Sequence, residues 1–200
     1  VGNGNDIGAL IDAFKSVKDA GKPVVVHIVT LKGKGYKPAE EDKETWHWHM
    51  PFDIKTGKPL MDSDGEDYSS VTAEYPPTVM GFTADKRHEA GSQFVDVGIA
   101  EETAVALASG IAAGGGKPVY GVYSSFIQRT YDQLSQDLCI NNNPATIIVY
   151  AASVYGMNAV THLGIYDIPM ISNIPNLVYL APTTKEEYLA MLEWSIEQNE

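Results

Sequence analysis

The stretch FVDVGIAEETAVALASGIAA, residues 94–113, decides the fold that the sequence predicts. It opens with residues 95–99, an apolar run broken by one acid, which is typical of a short buried strand. From Ala100 onward, small apolar residues recur at helical spacing and predict a helix that lies close to a sheet. A strand followed directly by a helix is the repeating unit of parallel α/β sheets.

Two acids, Glu101 and Glu102, fall at the junction between this strand and this helix. Acids are common in a first helical turn because they complement the partial positive charge of the helix start. The carboxyl end of a parallel strand is also where α/β folds place their ligand sites. The spacing alone favours the interpretation that the two acids complement the helix start, and it leaves a ligand-binding role open.

Composition narrows the classes of function. The chain has 200 residues, of which 44% are hydrophobic, enough for one domain or for one domain with part of another. A net charge of −12 argues against nucleic acid or an anionic membrane as a partner, because both attract a basic face. The single Cys139, and the lack of an apolar run of spanning length, favour a protein of the cytoplasm.

Outside this central stretch, the hydrophobic pattern predicts helices and strands in alternation, which indicates a parallel α/β sheet. The strands are predicted at residues 24–30, 118–124, 145–151 and 177–181, and the helices at residues 5–20, 78–90, 126–140, 166–174 and 184–198. Asp6 stands near the start of the first helix, and Thr183 or Thr184 is expected to cap the last one.

Two loops contain unusual residue patterns. Residues 32–36, KGKGY, put two glycines next to two lysines, which predicts either a loop that approaches an anion or a simple basic turn. Residues 46–49, WHWH, lie in a segment of prolines, glycines and charges. We expect no metal there, because no cysteine or further histidine is near in sequence. An aromatic-anchored loop that places a histidine in a neighbouring site is the preferred interpretation.

Five motifs occur in order along the chain. They are KGKGYKPAEED at residues 32–42, WH at 46–47, DVGIAEE at 96–102, YSSFIQRTYDQ at 123–133 and THLGIYDI at 161–168. Together they resemble the 1-deoxy-D-xylulose-5-phosphate synthase family, thiamine-diphosphate enzymes of the transketolase superfamily. The resemblance implies a transferase that condenses pyruvate with glyceraldehyde 3-phosphate and releases CO2, on the way to isoprenoid and thiamine precursors. It also implies a homodimer with thiamine diphosphate and Mg²⁺ as cofactors.

The resemblance implies a division into three parts. Residues 1–36 are expected to be the tail of a second α/β domain, which holds the diphosphate of the cofactor, and residues 37–67 a linker with the Trp/His cluster. Residues 68–200 are expected to form the pyrimidine-binding domain, a parallel sheet flanked by helices, with a missing segment between Tyr75 and Pro76. The superfamily's magnesium motif is absent from the sequence, so the metal ligands are expected elsewhere and this fragment alone is expected to be inactive.

The resemblance also implies roles for single residues at the cofactor. Glu101 matches the glutamate that activates the cofactor. Its protonated carboxyl hydrogen-bonds a ring nitrogen of the aminopyrimidine and favours the imino tautomer. Tyr123 and Phe126 match aromatic positions beside the pyrimidine, where stacking is physically plausible. The active-site histidines of the family match His47 and His162, which are candidates for proton transfer or for orienting hydroxyl groups.

Substrate binding is implied for Arg129, Tyr123 and Asn158. Arg129 matches an arginine that binds the phosphate of the acceptor, a group that a guanidinium can hold by two parallel hydrogen bonds. A second family arginine, however, is replaced by Ala151, and Asn158 stands where the family has an aspartate. The lost arginine favours an acceptor other than glyceraldehyde 3-phosphate. Ketol transfer between sugars by a transketolase-like enzyme, and a noncatalytic partner domain, remain as alternatives.

Overall fold

The computed structural model describes residues 1–43, 45–47, 49, 51–61, 79–80, 91–154 and 160–199. The chain divides into two compact units, Val1–Asp64 and Gly65–Glu200, and each is described by itself. The expected missing segment between Tyr75 and Pro76, and the predicted substrate-binding residue Asn158, lie outside the described residues.

The first unit begins with helix α1, Ile7–Val17, as the sequence predicts. Asp6 caps this helix, because its Oδ1 accepts a hydrogen bond from the backbone N–H of Ala9 at 3.2 Å. A cap of this kind satisfies one of the free donors of the first helical turn. The short helix α2, Lys37–Glu41, and a 3₁₀ turn at Thr45–His47 follow the KGKGY loop.

The buried strand predicted at residues 24–30 is wrong. No strand forms there, and Val25 is 94% exposed. The segment runs beside the chain start, where the Gly4 N–H donates to the Val29 carbonyl at 2.7 Å and the Val29 N–H donates to the Val1 carbonyl at 3.0 Å. A β-branched pattern gives a buried strand only where other elements cover its side chains, and the described part of this unit leaves them in solvent.

The second unit is built on a small parallel sheet. Its strands are β1 at Val79–Met80, β2 at Val119–Tyr123 and β3 at Thr146–Tyr150, in the spatial order β1-β2-β3. The register pairs Tyr123 with Tyr150, so β2 and β3 end level with each other. The predicted strands at 118–124 and 145–151 are therefore confirmed, whereas β1 lies in a stretch for which a helix is predicted.

The helices of this unit follow the predicted order. Helix α3, Glu101–Ala113, packs on β2 through small buried side chains that include Ala104 and Ala108. Helix α4, Ser124–Ile127, starts two residues before the helix predicted at 126–140. The same helical run continues as a 3₁₀ segment, Gln128–Thr130, and a π-helical segment, Gln133–Cys139. The other helical segments are α5 at Asp167–Ile171, α6 at Lys185–Glu197, and 3₁₀ turns at Gly91–Gln93 and Val160–His162.

The strand predicted at residues 95–99 is wrong, and a local hydrogen bond explains why. The Asp96 Oδ1 accepts a hydrogen bond from the Gly98 N–H at 2.8 Å, and Gly98 has a φ of +69°. An aspartate that binds the backbone two residues ahead turns the chain, and the positive φ suits glycine. The segment therefore bends into helix α3 instead of extending a ladder. Ile99 is 87% exposed as a result.

The strand predicted at residues 177–181 is also absent. In place of a ladder, the hydroxyl of Tyr179 donates to the Oδ2 of Asp167 at 2.9 Å, which ties the segment to helix α5. The core lies between the sheet and the helices around Val105, Tyr120, Ile127 and Leu134. Across the described ranges, no helix combines the length and the apolar character that crossing a membrane requires.

Candidate functional site

The site is organised around the carboxyl end of β2. Strand β2 ends at Tyr123, and the chain turns directly into helix α4. Ser124 and Ile127 are both 0% exposed and fix the start of this helix in the core. Helical spacing then leaves Tyr123 and Phe126 near the surface, with 36% and 38% of their areas exposed. Two aromatic rings are therefore available at a strand end, where α/β folds bind ligands.

These two rings form a cluster with His162. The ring centres lie 6.0 Å apart for Tyr123 and Phe126, 5.2 Å for Phe126 and His162, and 6.4 Å for Tyr123 and His162. All three pairs are edge-to-face, the geometry that aromatic rings favour. The Nδ1 of His162 lies 2.8 Å from the hydroxyl of Thr161, which orients the imidazole.

A second group consists of two carboxylates and one guanidinium. The Nη1 of Arg129 donates to the Oε2 of Glu101 at 3.1 Å, and its Nε lies 3.3 Å from the Oε1 of Glu102. The side chains of Glu101, Glu102 and Arg129 are 12%, 42% and 52% exposed. Glu101 is therefore the less exposed member of the acidic pair, and Arg129 bridges both acids.

The two carboxylates also act on the neighbouring strand. Tyr120 of β2 is 3% exposed, and burial is the main cause that raises its pKa. The negative charges of Glu101 and Glu102 raise the pKa of Tyr120 further, because they disfavour a phenolate. This part of the site is thus negatively charged and favours groups that are cationic or carry a proton.

Close backbone packing brings the THLGIYDI segment onto the end of β3. A Cβ atom on Gly164 would lie 2.5 Å from the Cα of Ala152 and 2.7 Å from the Oγ of Ser124, so only glycine fits. The Gly164 N–H donates to the Ser153 carbonyl at 3.1 Å. The Oγ atoms of Ser124 and Ser125 are buried without a hydrogen-bond partner in the described part of the chain. Unpaired buried hydroxyls of this kind are uncommon.

In the first unit, the KGKGY loop binds an acid of the chain itself. The Gly35 N–H donates to the Oε1 of Glu40 at 2.8 Å, and the Lys34 Nζ lies 3.9 Å from the same oxygen. The Nζ of Lys32 contacts the Nδ1 of His47. The catalytic role of His47 stays a prediction, since the structure describes His47 only within its own unit.

The Trp/His segment is anchored by aromatic contacts. Trp46 packs edge-to-face on Tyr36 and Phe52, with ring centres 5.0 Å and 4.8 Å away, and stacks on His49 at 4.5 Å. Among the described residues, no group of three or more histidine, cysteine, aspartate or glutamate side chains could hold a metal ion.

The structure thus brings five of the predicted site residues into two groups in one unit. Glu101 pairs with Arg129, and the rings of Tyr123, Phe126 and His162 form the second group. Sequence reasoning gave Glu102 only the role of complementing the helix start and gave Tyr120 none. The adjacency of Glu102 to Glu101 was the only available signal, because the position of Arg129 between the two acids is a tertiary contact.

Comparison with known proteins identifies the family of the chain. The family described as "Transketolase, pyrimidine binding domain" matches residues 63–200. The 1-deoxy-D-xylulose-5-phosphate synthase of Gloeothece citriformis is 40% identical over 208 residues, which are 95% of this chain and 33% of that protein. The synthases of Crocosphaera subtropica and Lachnoclostridium phytofermentans are each 38% identical and cover 99% and 98% of the chain. The chain spans about a third of the length of these curated relatives, 33% to 34%.

Proposed function

This chain belongs to the transketolase pyrimidine-binding domain family, and on that premise we propose that it forms the aminopyrimidine half of a thiamine diphosphate site. The observation that carries the proposal is the Glu101 carboxyl, which is only 12% exposed and contacts Arg129, three residues after the half-exposed ring of Phe126. The relatives are named 1-deoxy-D-xylulose-5-phosphate synthases, which supports our proposal of a parent enzyme that condenses pyruvate with an aldehyde and releases CO2.

The residues fit an aromatic heterocycle with polar edges. The rings of Tyr123 and Phe126 offer apolar surface for stacking. Glu101 offers a carboxyl, and the unpaired hydroxyls of Ser124 and Ser125 are polar groups that still need a partner. A bound aminopyrimidine matches this set of groups better than an aliphatic or purely anionic ligand does.

Each side chain then has a defined task. When bound, thiamine diphosphate supplies the carbanion chemistry that cleaves and forms bonds next to a carbonyl. With the cofactor bound, the Glu101 carboxyl would leave the charged state in which it accepts a hydrogen bond from Arg129. It would then carry a proton and donate it in a hydrogen bond to a pyrimidine nitrogen. Tyr123 and Phe126 exclude water from that face. His162 orients a substrate hydroxyl or moves a proton at its imidazole nitrogen, and His47 is proposed for the same class of role.

The remaining parts of the site belong to this proposal as well. Residues 1–36 are proposed as the tail of the diphosphate-binding domain, residues 37–67 as the linker, and residues 68–200 as the pyrimidine-binding domain. The Mg²⁺ ligands are proposed to come from outside the chain, so the 200 residues alone are not expected to turn over. Tyr123, Asn158 and Arg129 are proposed to face the acceptor.

The setting of the parent enzyme is proposed from the same premises. We propose a homodimer in the cytoplasm that acts on small molecules rather than on nucleic acid or membranes. The net charge of −12 and the single, buried Cys139 support this setting. Because the relatives are named as synthases, ketol transfer between sugars and a purely noncatalytic role are the less favoured alternatives.

The test is a donor assay on the full-length parent. We expect thiamine-diphosphate-dependent release of CO2 from pyruvate when an aldehyde is present, and we expect no use of ketose donors. Product from ketose donors without CO2 would instead support ketol transfer. Inactivity with every donor, in an enzyme that is folded and loaded with cofactor, would support the noncatalytic role.

A further inference from the structure

One contact of His47 limits what its ring can do. The Nδ1 of His47 is hydrogen-bonded to the Nζ of Lys32. A lysine ammonium has three N–H donors and no acceptor, so it can only donate to a ring nitrogen that carries a lone pair. Nδ1 is therefore the acceptor, and in the neutral imidazole the hydrogen lies on Nε2.

The backbone around Lys32 is held on both sides. The side chain of Asn5 binds both backbone groups of Leu31, because its Oδ1 accepts from the Leu31 N–H at 2.6 Å and its Nδ2 donates to the Leu31 carbonyl at 3.2 Å. Gly33 packs so closely on Ala39 that a Cβ atom there would lie 2.6 Å from the Ala39 Cβ. Lys32 therefore extends from a fixed part of the loop.

The backbone of His47 is held as well. His47 ends the 3₁₀ turn Thr45–His47, whose first N–H donates to the Oδ1 of Asp42 at 3.1 Å. Trp46, the residue before it, packs edge-to-face on Tyr36 with ring centres 5.0 Å apart. Fixed backbone on both sides lowers the entropy cost of bringing two exposed side chains together.

We propose that Lys32 is a positioning residue that keeps His47 in the Nε2–H form. His47 then donates a hydrogen bond to a substrate oxygen, of a carbonyl or a hydroxyl group, and does not act as a general base. A general base needs a nitrogen with a free lone pair, whereas the Nδ1 lone pair is engaged and Nε2 carries the hydrogen. This inference rests on the proposed function, which gives His47 either role, and it selects one of the two.

His162 differs from His47 in this respect. Its Nδ1 lies 2.8 Å from the hydroxyl of Thr161, and a hydroxyl group can either donate or accept a hydrogen bond. This contact therefore allows both tautomers of the His162 ring. Of the two proposed active-site histidines, His162 is the one that its contact leaves able to take up a proton.

Long-range ¹H–¹⁵N NMR spectra of the histidine rings measure the tautomer directly. They are recorded on the 200-residue chain at about pH 8.5, where imidazoles are ordinarily neutral and lysines charged, and His47→Gln identifies the signals of His47. We expect Lys32→Met to lower the ratio of the Nε2–H form to the Nδ1–H form by about 2-fold to 5-fold. Lys32→Arg, which keeps a cationic donor, should restore the ratio.

The matched control is Lys34→Met, which removes the other lysine of the same loop. The Nζ of Lys34 lies 3.9 Å from the Oε1 of Glu40, so this change should leave the tautomer of His47 unchanged. An unchanged ratio in Lys32→Met, or an equal change in Lys34→Met, would overturn the proposal. These spectra need neither cofactor nor substrate, so their outcome is separate from that of the donor assay.

Turnover of the full-length parent tests the consequence for His47. The side-chain amide in His47→Gln can supply an N–H near the position of Nε2, so this variant should keep turnover within about 10-fold of the unmodified enzyme. His47→Leu has no donor and should lose more. Loss of a general base costs roughly 100-fold or more, so a loss of that size in both variants would contradict the donor role, and so would unchanged turnover in His47→Leu.

Discussion

Helices α3 and α6 each have two consecutive glutamates in the first turn, at residues 101–102 and 186–187, yet these acids make different contacts. In α6, the Oγ1 of Thr184 accepts a hydrogen bond from the Glu187 N–H at 3.2 Å. The Oε2 of Glu187 accepts from the backbone N–H and the hydroxyl of Thr183, at 2.8 Å and 2.7 Å. These reciprocal bonds close the helix start locally, as a capping box does.

In α3, the capping position is Ala100, which has no side-chain oxygen to offer. Glu101 and Glu102 instead contact Arg129, which lies 28 residues beyond Glu101 in sequence. A pair of acids in a first helical turn is therefore ambiguous by itself. The N-cap residue distinguishes the two helices, because the Thr184 hydroxyl takes part in a local cap with Glu187 and Ala100 offers no such group.

The largest expected effect is on turnover, and it distinguishes the acidic pair of α3 from the acidic pair of α6. Glu101→Gln in the full-length parent should lower turnover roughly 100-fold or more, because the proton that we propose Glu101 holds and donates would be lost from the carboxyl. Glu186→Gln, the corresponding first acid of α6, should leave turnover unchanged. Steady-state kinetics of the two variants check this. Similar turnover in both would show that the two acidic pairs are equivalent and that the distinction is wrong.

A smaller effect concerns stability. Thr184→Ala removes the capping oxygen of α6 and should lower the free energy of unfolding by about 1 kcal/mol. Urea unfolding of the 200-residue chain measures it, with Glu186→Gln as the control in the same turn. At α3, Ala100→Gly should change stability by less, since no side-chain cap is lost there. A larger loss of unfolding free energy in Ala100→Gly than in Thr184→Ala would contradict this expectation.

The smallest effect is a pH dependence. The backbone N–H of Thr183, and then its hydroxyl, lower the pKa of Glu187 below the ordinary value for a glutamate. The unfolded chain lacks these bonds, so their stabilisation is present above the unfolded pKa and is lost as the pH falls through the folded pKa. Glu187→Gln should therefore destabilise the chain at pH 7 and have less effect at acidic pH. Urea unfolding at both pH values tests this, and an equal effect at both would contradict it.

The spacing of apolar residues along the sequence predicted several helices and strands of the fold. Helices α1, α3 and α6 and strands β2 and β3 all lie where the sequence places them. The strands predicted at 95–99 and 177–181 failed for tertiary or side-chain reasons. Asp96 bends the first, and Tyr179 ties the second to Asp167. Apolar composition could not reveal either bond.

Motif resemblance pointed to the site residues, but not to how they pair. The ring cluster of Tyr123, Phe126 and His162 joins segments on either side of β3, so only the folded sheet brings it together. The bridge from Arg129 to Glu101 and Glu102 is likewise a contact between two helical segments. Residues that touch across such distances in sequence have no local signal.

We propose that Glu101, and not Glu102, activates the cofactor. Exchange of the C2 proton of thiamine diphosphate with deuterated solvent, bound to the full-length parent and followed by NMR after rapid quenching, tests this step apart from later chemistry. We predict that Glu101→Gln slows this exchange by roughly 100-fold or more and that Glu102→Gln leaves it nearly unchanged. Unaltered exchange in Glu101→Gln, with the cofactor bound, would contradict the account.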